Sequence, residues 1–147
     1  MKLELKHLAP YLPYSLKVIM EGKKCNIAWM STKYISVIRP TKIGEIKRIK
    51  WDYAPLNLRA ILRPLTDLTK EIEHSGERFV PIDSLSKITT LEYDDGVLHQ
   101  ADWDGEMQET EVEYLCYAQF ILLLEWHFDV FGLIDAGLAI DINTVEK

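Results

Sequence analysis

The sequence predicts an α+β protein: a single domain over residues 1–147, with an antiparallel sheet from the N-terminal half packed against C-terminal helices. Three observations predict it. Strand-like runs crowd the first half and helix-like runs the second, and segregated elements argue for α+β over α/β alternation. The 147-residue length suits one core. Charge is also segregated. Residues 1–63 carry thirteen Lys and Arg against four acids, a net of +9, and residues 64–147 carry four against nineteen, a net of −15. The overall −6 conceals this. Oppositely charged halves either dock on each other or present separate faces to different partners.

The elements follow in order. Pro10 and Pro13 confine any helix after Leu3 to a short turn. Leu16 to Met20, Asn26 to Met30, Tyr34 to Arg39 and Ile46 to Trp51 read as strands, separated by turns at Glu21–Lys24 and Pro40–Gly44. A helix is predicted from Arg63 to Ile72, with Pro64 in its first turn and Leu65, Leu68 and Ile72 on one face. Phe79 to Ile82 reads as a short edge strand because it contains Pro81. Leu91 to Leu98 reads as a hairpin on Asp95-Gly96, and a second turn falls at Asp102 to Gly105. The main helix is predicted from Glu109 to Phe128, its early acids Glu109, Glu111 and Glu113 complementing the helix dipole. A shorter helix from Asp129 to Ala136 and a last strand or docked tail at Leu138 to Ile142 complete the chain.

Composition narrows the class. Apolar residues make up 48%, ordinary for a globular chain. Cys25 and Cys116 form no CxxC and have no histidine at ligand spacing, so both read as reduced thiols. The N-terminus lacks the apolar core of a signal peptide. The longest apolar stretch, Tyr114 to Leu124, is too short to span a membrane. The expected setting is cytoplasmic, without a membrane partner.

Three stretches are distinctive: His7 to Tyr14, Ile61 to Leu68, and Phe128 to Asn143. Together they resemble a group of uncharacterised small proteins encoded by phages, prophages and other mobile elements of gut bacteria. The resemblance implies a bacterial cytoplasmic setting and an accessory role for the element. It transfers no catalytic residue to any position.

Two constellations could carry function. Arg39, Lys42, Lys47, Arg48 and Lys50 lie close together with Tyr34, Trp51 and Tyr53. Such cations neutralise phosphates and such aromatics stack on bases, which makes them a candidate nucleic-acid or anion site. A solvated strand face balancing the acidic half is the plainer reading, and the overall pI of 5.2 favours it. From Glu92 to Glu113 there are nine acids and no Lys or Arg. Asp94, Asp95, Asp102, Asp104 and Glu106 within it are candidates for an acidic interaction surface, a phosphate-backbone mimic, or a Mg²⁺ or Ca²⁺ site serving a hydrolase or nuclease. Asp102-Trp103-Asp104-Gly105 starts like a calcium loop, but its glycine comes two positions early. The aromatics Tyr11, Tyr14, Trp29 and Tyr34 fit either a binding surface or packing.

His7, His74, His99 and His127 are scattered, and there is no GxSxG, phosphate loop or dinucleotide fingerprint. The sequence thus points to no cofactor, no catalytic residue and no small-molecule substrate. The leading expectation is a non-enzymatic interaction module that binds a protein partner or itself. A nucleic-acid binder and a metal-dependent hydrolase are the alternatives.

Overall fold

The computed structural model describes residues 1–39, 43–53 and 58–145. The class is α+β, as predicted. The chain forms two compact units. One comprises Met1–Arg63 with Phe131–Lys147, and the other Pro64–Val130. The charge reversal falls on this border. The first unit holds fourteen basic and seven acidic residues, a net of +7, and the second three and sixteen, a net of −13.

The first unit is a six-stranded sheet whose strands lie side by side in the order 139–141, 58–62, 17–20, 23–30, 34–38 and 46–50. A short helix α1 (Leu5–Leu8) and a 3-10 turn (Ala9–Tyr14) precede it, and Ser15 at φ 56° turns the chain into the first strand. The strands β1 (Lys17–Met20), β2 (Lys23–Met30), β3 (Tyr34–Ile38) and β4 (Ile46–Lys50) form the antiparallel meander read from the sequence. Strand β5 (Leu58–Leu62) then pairs with β1. The last strand, β11 (Ala139–Asp141), returns beside β5 in parallel, so the sheet is mixed at one edge. Side chains alternate across it. Val18, Met20, Cys25, Ile35, Val37, Ile49, Leu58 and Ala60 are buried on one face. Asp141 accepts the Asn143 backbone N–H at 2.8 Å, opening the terminal helix α4 (Ile142–Val145).

The second unit contains the hairpin β6 (Ile72–His74)/β7 (Glu77–Phe79), the helix α2 (Pro81–Ser86), the sheet β8 (Leu91–Asp94), β9 (Val97–Ala101) and β10 (Met107–Thr110), and the helix α3 (Tyr117–Glu125). Its core gathers Leu68, Ile72, Leu85, Leu91, Leu98, Leu115, Leu123, Trp126 and Phe128.

Three expectations about helices are corrected here. Residues Leu65–Thr69 form only a 3-10 turn, because Ile72 is drawn into a hairpin opposite Phe79, with Ser75 and Gly76 at positive φ in its turn. The 109–128 helix shrinks to Tyr117–Glu125, because Glu109 and Thr110 pair with His99 and Leu98 as strand β10. The acids read as a helix start sit partly on a strand. Residues 129–136 form turns in place of a helix, with the Ala136 N–H donating to the Gly132 carbonyl at 3.2 Å and the Gly137 N–H to the Ile134 carbonyl at 3.0 Å. Among the described residues, no helix is long and apolar enough to cross a membrane.

Gln119 ties the second unit together. It is fully buried on α3. Its Nε2 donates to the carbonyls of Leu85 at 3.0 Å and Thr89 at 2.9 Å, at the end of α2, and its Oε1 accepts from Gln100 Nε2 at 3.3 Å. A buried amide is stable only when partnered this way.

Candidate interaction surfaces

Register places the basic residues. In β3 and β4, Tyr34 lies opposite Lys50 and Ser36 opposite Arg48. Trp29 of β2 lies opposite Ser36 on the other side. In β1 and its neighbours, Ile19 stands between Lys24 and Arg59, and Lys17 opposite Asn26. Directly paired residues project on the same side of a sheet. Lys17, Lys24, Arg59, Arg48 and Lys50 therefore share the face opposite Val18, Cys25 and Ile35. All five are exposed. Trp29, 42% exposed, lies on the same face. The Arg48 guanidinium stacks over Tyr34, 4.7 Å from the ring centre.

The predicted basic set divides. Arg48 and Lys50 belong to this face. Arg39 and Lys47 are instead drawn together by Glu21, at 3.0 and 2.6 Å. The hydrogen bond from Lys47, then the Arg39 charge, holds the Glu21 carboxyl below the usual glutamate range. Lys42 lies outside the described residues. Lys17, Lys24 and Arg59 were not in the predicted set. Their signal, alternation along strands of unknown register, needed the pairing to be read.

At the Tyr34–Lys50 end the face runs into a shallow groove of about 370 Å³, lined by Thr32, Lys33, Tyr34, Lys50, Trp51 and Asp52. Trp51 is buried there, its indole N–H donating to the Ser31 carbonyl at 2.7 Å, which fixes the β2–β3 turn against the end of β4. Asp52 is neutralised by Lys2, whose hydrogen bond lowers the carboxyl pKa. Among the described residues, no carboxylate forms an ion pair with Lys17, Lys24, Lys33, Arg48, Lys50 or Arg59. The predicted aromatic set also divides: Tyr11 is buried edge-on to Phe131, whereas Trp29 reaches solvent.

The acidic unit presents a different surface. Glu92 of β8 and Glu109 of β10 flank His99 on the outward face of their sheet, while Leu91 and Leu98 point into the core. Asp94 and Asp95 lie at one end of β9, and Asp102, Asp104 and Glu106 at the other. Five residues of strand span roughly 13–16 Å, too far for these carboxylates to share an ion. Asp102 is also turned inward. Its Oδ1 accepts the backbone N–H groups of Asp104 at 2.9 Å and Glu106 at 3.0 Å, shaping the turn. Asp94 and Asp95 therefore lie apart from Asp102 and Asp104, and the stretch whose spacing resembled an ion loop forms the turn between β9 and β10. Among the described residues, no three His, Cys, Asp or Glu side chains gather at ligand distance.

Trp103, at the tip of that turn, is 92% exposed. Tyr114 and Tyr117, bracketing the start of α3, are also exposed. A shallow depression of about 270 Å³ lies on this unit, with Leu65, Tyr93, Leu98 and Val112 among its apolar lining and Glu109 and Glu111 as its carboxylates. Both cysteines are free, and burial raises the Cys25 thiol pKa.

Comparison with protein-family models, with curated proteins and with solved structures finds no match for the chain.

Proposed function

We propose that the protein is a non-enzymatic interaction module whose acidic unit, 64–130, takes a basic segment of a protein partner. The observation that carries this reading is the reversal of charge at the structural border, from +7 in one unit to −13 in the other. So strong a one-sign field on a compact body steers an oppositely charged partner and rejects like-charged ones. The depression between Leu65, Tyr93 and Glu109 suits a lysine or arginine, which lays an apolar stem on apolar lining and brings its cation to a carboxylate. Exposed Trp103, Tyr114 and Tyr117 are the kind of side chain that anchors an interface. The resemblance to small proteins of phages and mobile elements supports an accessory role in a bacterial cytoplasm.

The test uses Lys- and Arg-rich peptides in calorimetric titrations of the intact protein at low and high salt. Binding is expected at low salt and release at high salt, with the double variant Glu109→Gln, Glu111→Gln at least about tenfold weaker, as for loss of close charge pairs. Equal binding by wild type and variant would defeat the assignment of the depression. No salt-sensitive binding at all would defeat the module itself.

A further inference from the structure

We propose that the outer face of the β1–β5 sheet is a binding surface for single-stranded nucleic acid. This goes beyond the acidic surface assigned above and rests on different residues. Four observations converge. Lys17, Lys24, Arg48, Lys50 and Arg59 project from one side of the run β5-β1-β2-β3-β4, from four of its five strands, in successive cross-strand rows. Rows on one face repeat every two residues, about 6.7 Å along the strands, so the cations form a lattice rather than a point. None of the five is held by a carboxylate among the described residues, although Glu21 and Asp52 neutralise cations elsewhere in the same unit. Trp29 stands among them with its ring partly in solvent, and Tyr34 lies under Arg48. The face then continues into the groove between Tyr34, Lys33 and Lys50.

Charge complementarity selects a polyanion. Aromatics interleaved with the cations select one whose bases are unpaired, because stacking requires a free base face, and a duplex hides its own. The whole chain carries −6, so diffuse attraction works against any polyanion. Binding must come from this local surface. Arg48 has two roles here. It caps the Tyr34 ring, 4.7 Å from its centre, and its exposed guanidinium is placed to meet a phosphate, leaving Trp29 as the ring that stacks on a base. Ser36, between Trp29 and Arg48 in the register, is fully buried and keeps the two side chains spaced across β3.

The experiment is fluorescence anisotropy of the full chain with a labelled twenty-nucleotide oligothymidylate, across salt. Single strands release counterions with a slope of roughly −0.7 per neutralised phosphate, so five cations give a slope near −3.5. Affinity should then fall about 100-fold between 50 and 200 mM salt. The exposed double variant Arg48→Gln, Lys50→Gln should flatten the slope by about 1.4, and Lys24→Gln, Arg59→Gln should do the same. Trp29→Ala should weaken binding roughly 5- to 150-fold, and Trp29→Phe should restore most of it. Unchanged circular dichroism in the surface variants keeps the comparison clean.

Absence of binding up to about 100 µM protein at low salt, where even non-specific binders engage, would overturn the proposal. So would equal affinity for a duplex, indifference to Trp29→Ala in a folded variant, or equal competition by polyphosphate, since each removes the bases from recognition. Failure here leaves the peptide titrations on the acidic unit unaffected, because no residue is shared.

Discussion

Replacing Gln119 by Leu tests whether one buried amide holds the acidic unit together. The substitution nearly conserves volume, so it opens little cavity, and its cost comes from the partners left behind. The part-buried Thr89 carbonyl loses the donor at 2.9 Å, and leaving such an acceptor unpaired costs about 1–3 kcal/mol. The Leu85 carbonyl loses a second bond but keeps the Ile88 N–H at 3.0 Å, so its loss adds about 0.5–1.5 kcal/mol. Burying a leucine side chain offsets about 1 kcal/mol. The net expectation is about 2 kcal/mol of destabilisation. Urea unfolding followed by tryptophan fluorescence and circular dichroism measures it directly. The melting temperature adds a second reading. If the 67-residue unit 64–130 melts alone, the same free energy lowers its midpoint by about 8–16 °C; if all 147 residues melt together, by about 4–8 °C. Gln119→Glu should be worse than Leu, because it points a carboxylate at two carbonyls. A Gln119→Leu loss below about 0.5 kcal/mol, typical of an unimportant surface position, refutes the reasoning.

Other expectations concern pH, turn geometry and metals. His7 is buried, and its Nδ1 accepts the Glu4 backbone N–H at 3.0 Å, so it must be neutral to serve. Burial, then the Lys6 charge, lowers its pKa below 6.5. The unfolded chain therefore binds this proton more readily, and stability is lost as pH falls from about 6.5 to the lowered folded value, then levels off. Urea midpoints from pH 7.5 to 4.5 should show this step in wild type and not in His7→Phe; superimposable profiles would disprove it. Asp95 and Gly96 both adopt positive φ, at 49° and 80°, as a two-residue I′ turn requires. Gly96→Ala should cost about 1 kcal/mol in chemical denaturation although nothing crowds the new methyl, because the strain is in the backbone. Millimolar Ca²⁺ or Mg²⁺ should leave the melting temperature unchanged, given the separation of Asp94 and Asp102 along β9; a clear upward shift would revive the ion-loop reading.

The N-terminal meander was legible because each strand is short, β-branched and bounded by a turn with Gly or Pro, and because one face is wet. Strand β5 was missed for the opposite reason. Leu58, Ala60, Ile61 and Leu62 are all buried, so the period-2 signal is erased where a strand lies between two neighbours. Its partner β11 lies 79 residues on in the register, Ala60 opposite Ala139, and no local pattern reports such a pairing. The overlong helix at 109–128 has another cause. Glu109 is a good helix former, and its tertiary position beside His99 on the β9 strand overrides that preference. Of the basic set, Arg48 and Lys50 were found from sequence proximity. Lys24, far away in the chain, joins them through β2 and β3, and Arg59 only through β1 as well. Proximity also misled, since Arg39 and Lys47 are adjacent to the face in sequence yet spend their charge on Glu21.

The pairing of β5 with β11 sets an order of assembly. As the chain leaves the ribosome, β5 emerges with one neighbour available and one edge bare, and that edge stays open until Ala139–Asp141 has been made. The whole acidic segment 64–130 is synthesised in the interval, with every strand and helix of its own core already in hand. The later-starting body can thus mature first, and the earlier one waits with an unsatisfied backbone edge exposed to neighbouring chains. Ribosome stalling or a stop codon between residues 131 and 138 is consequently expected to yield aggregation through β5, even though nothing in the acidic segment has been lost.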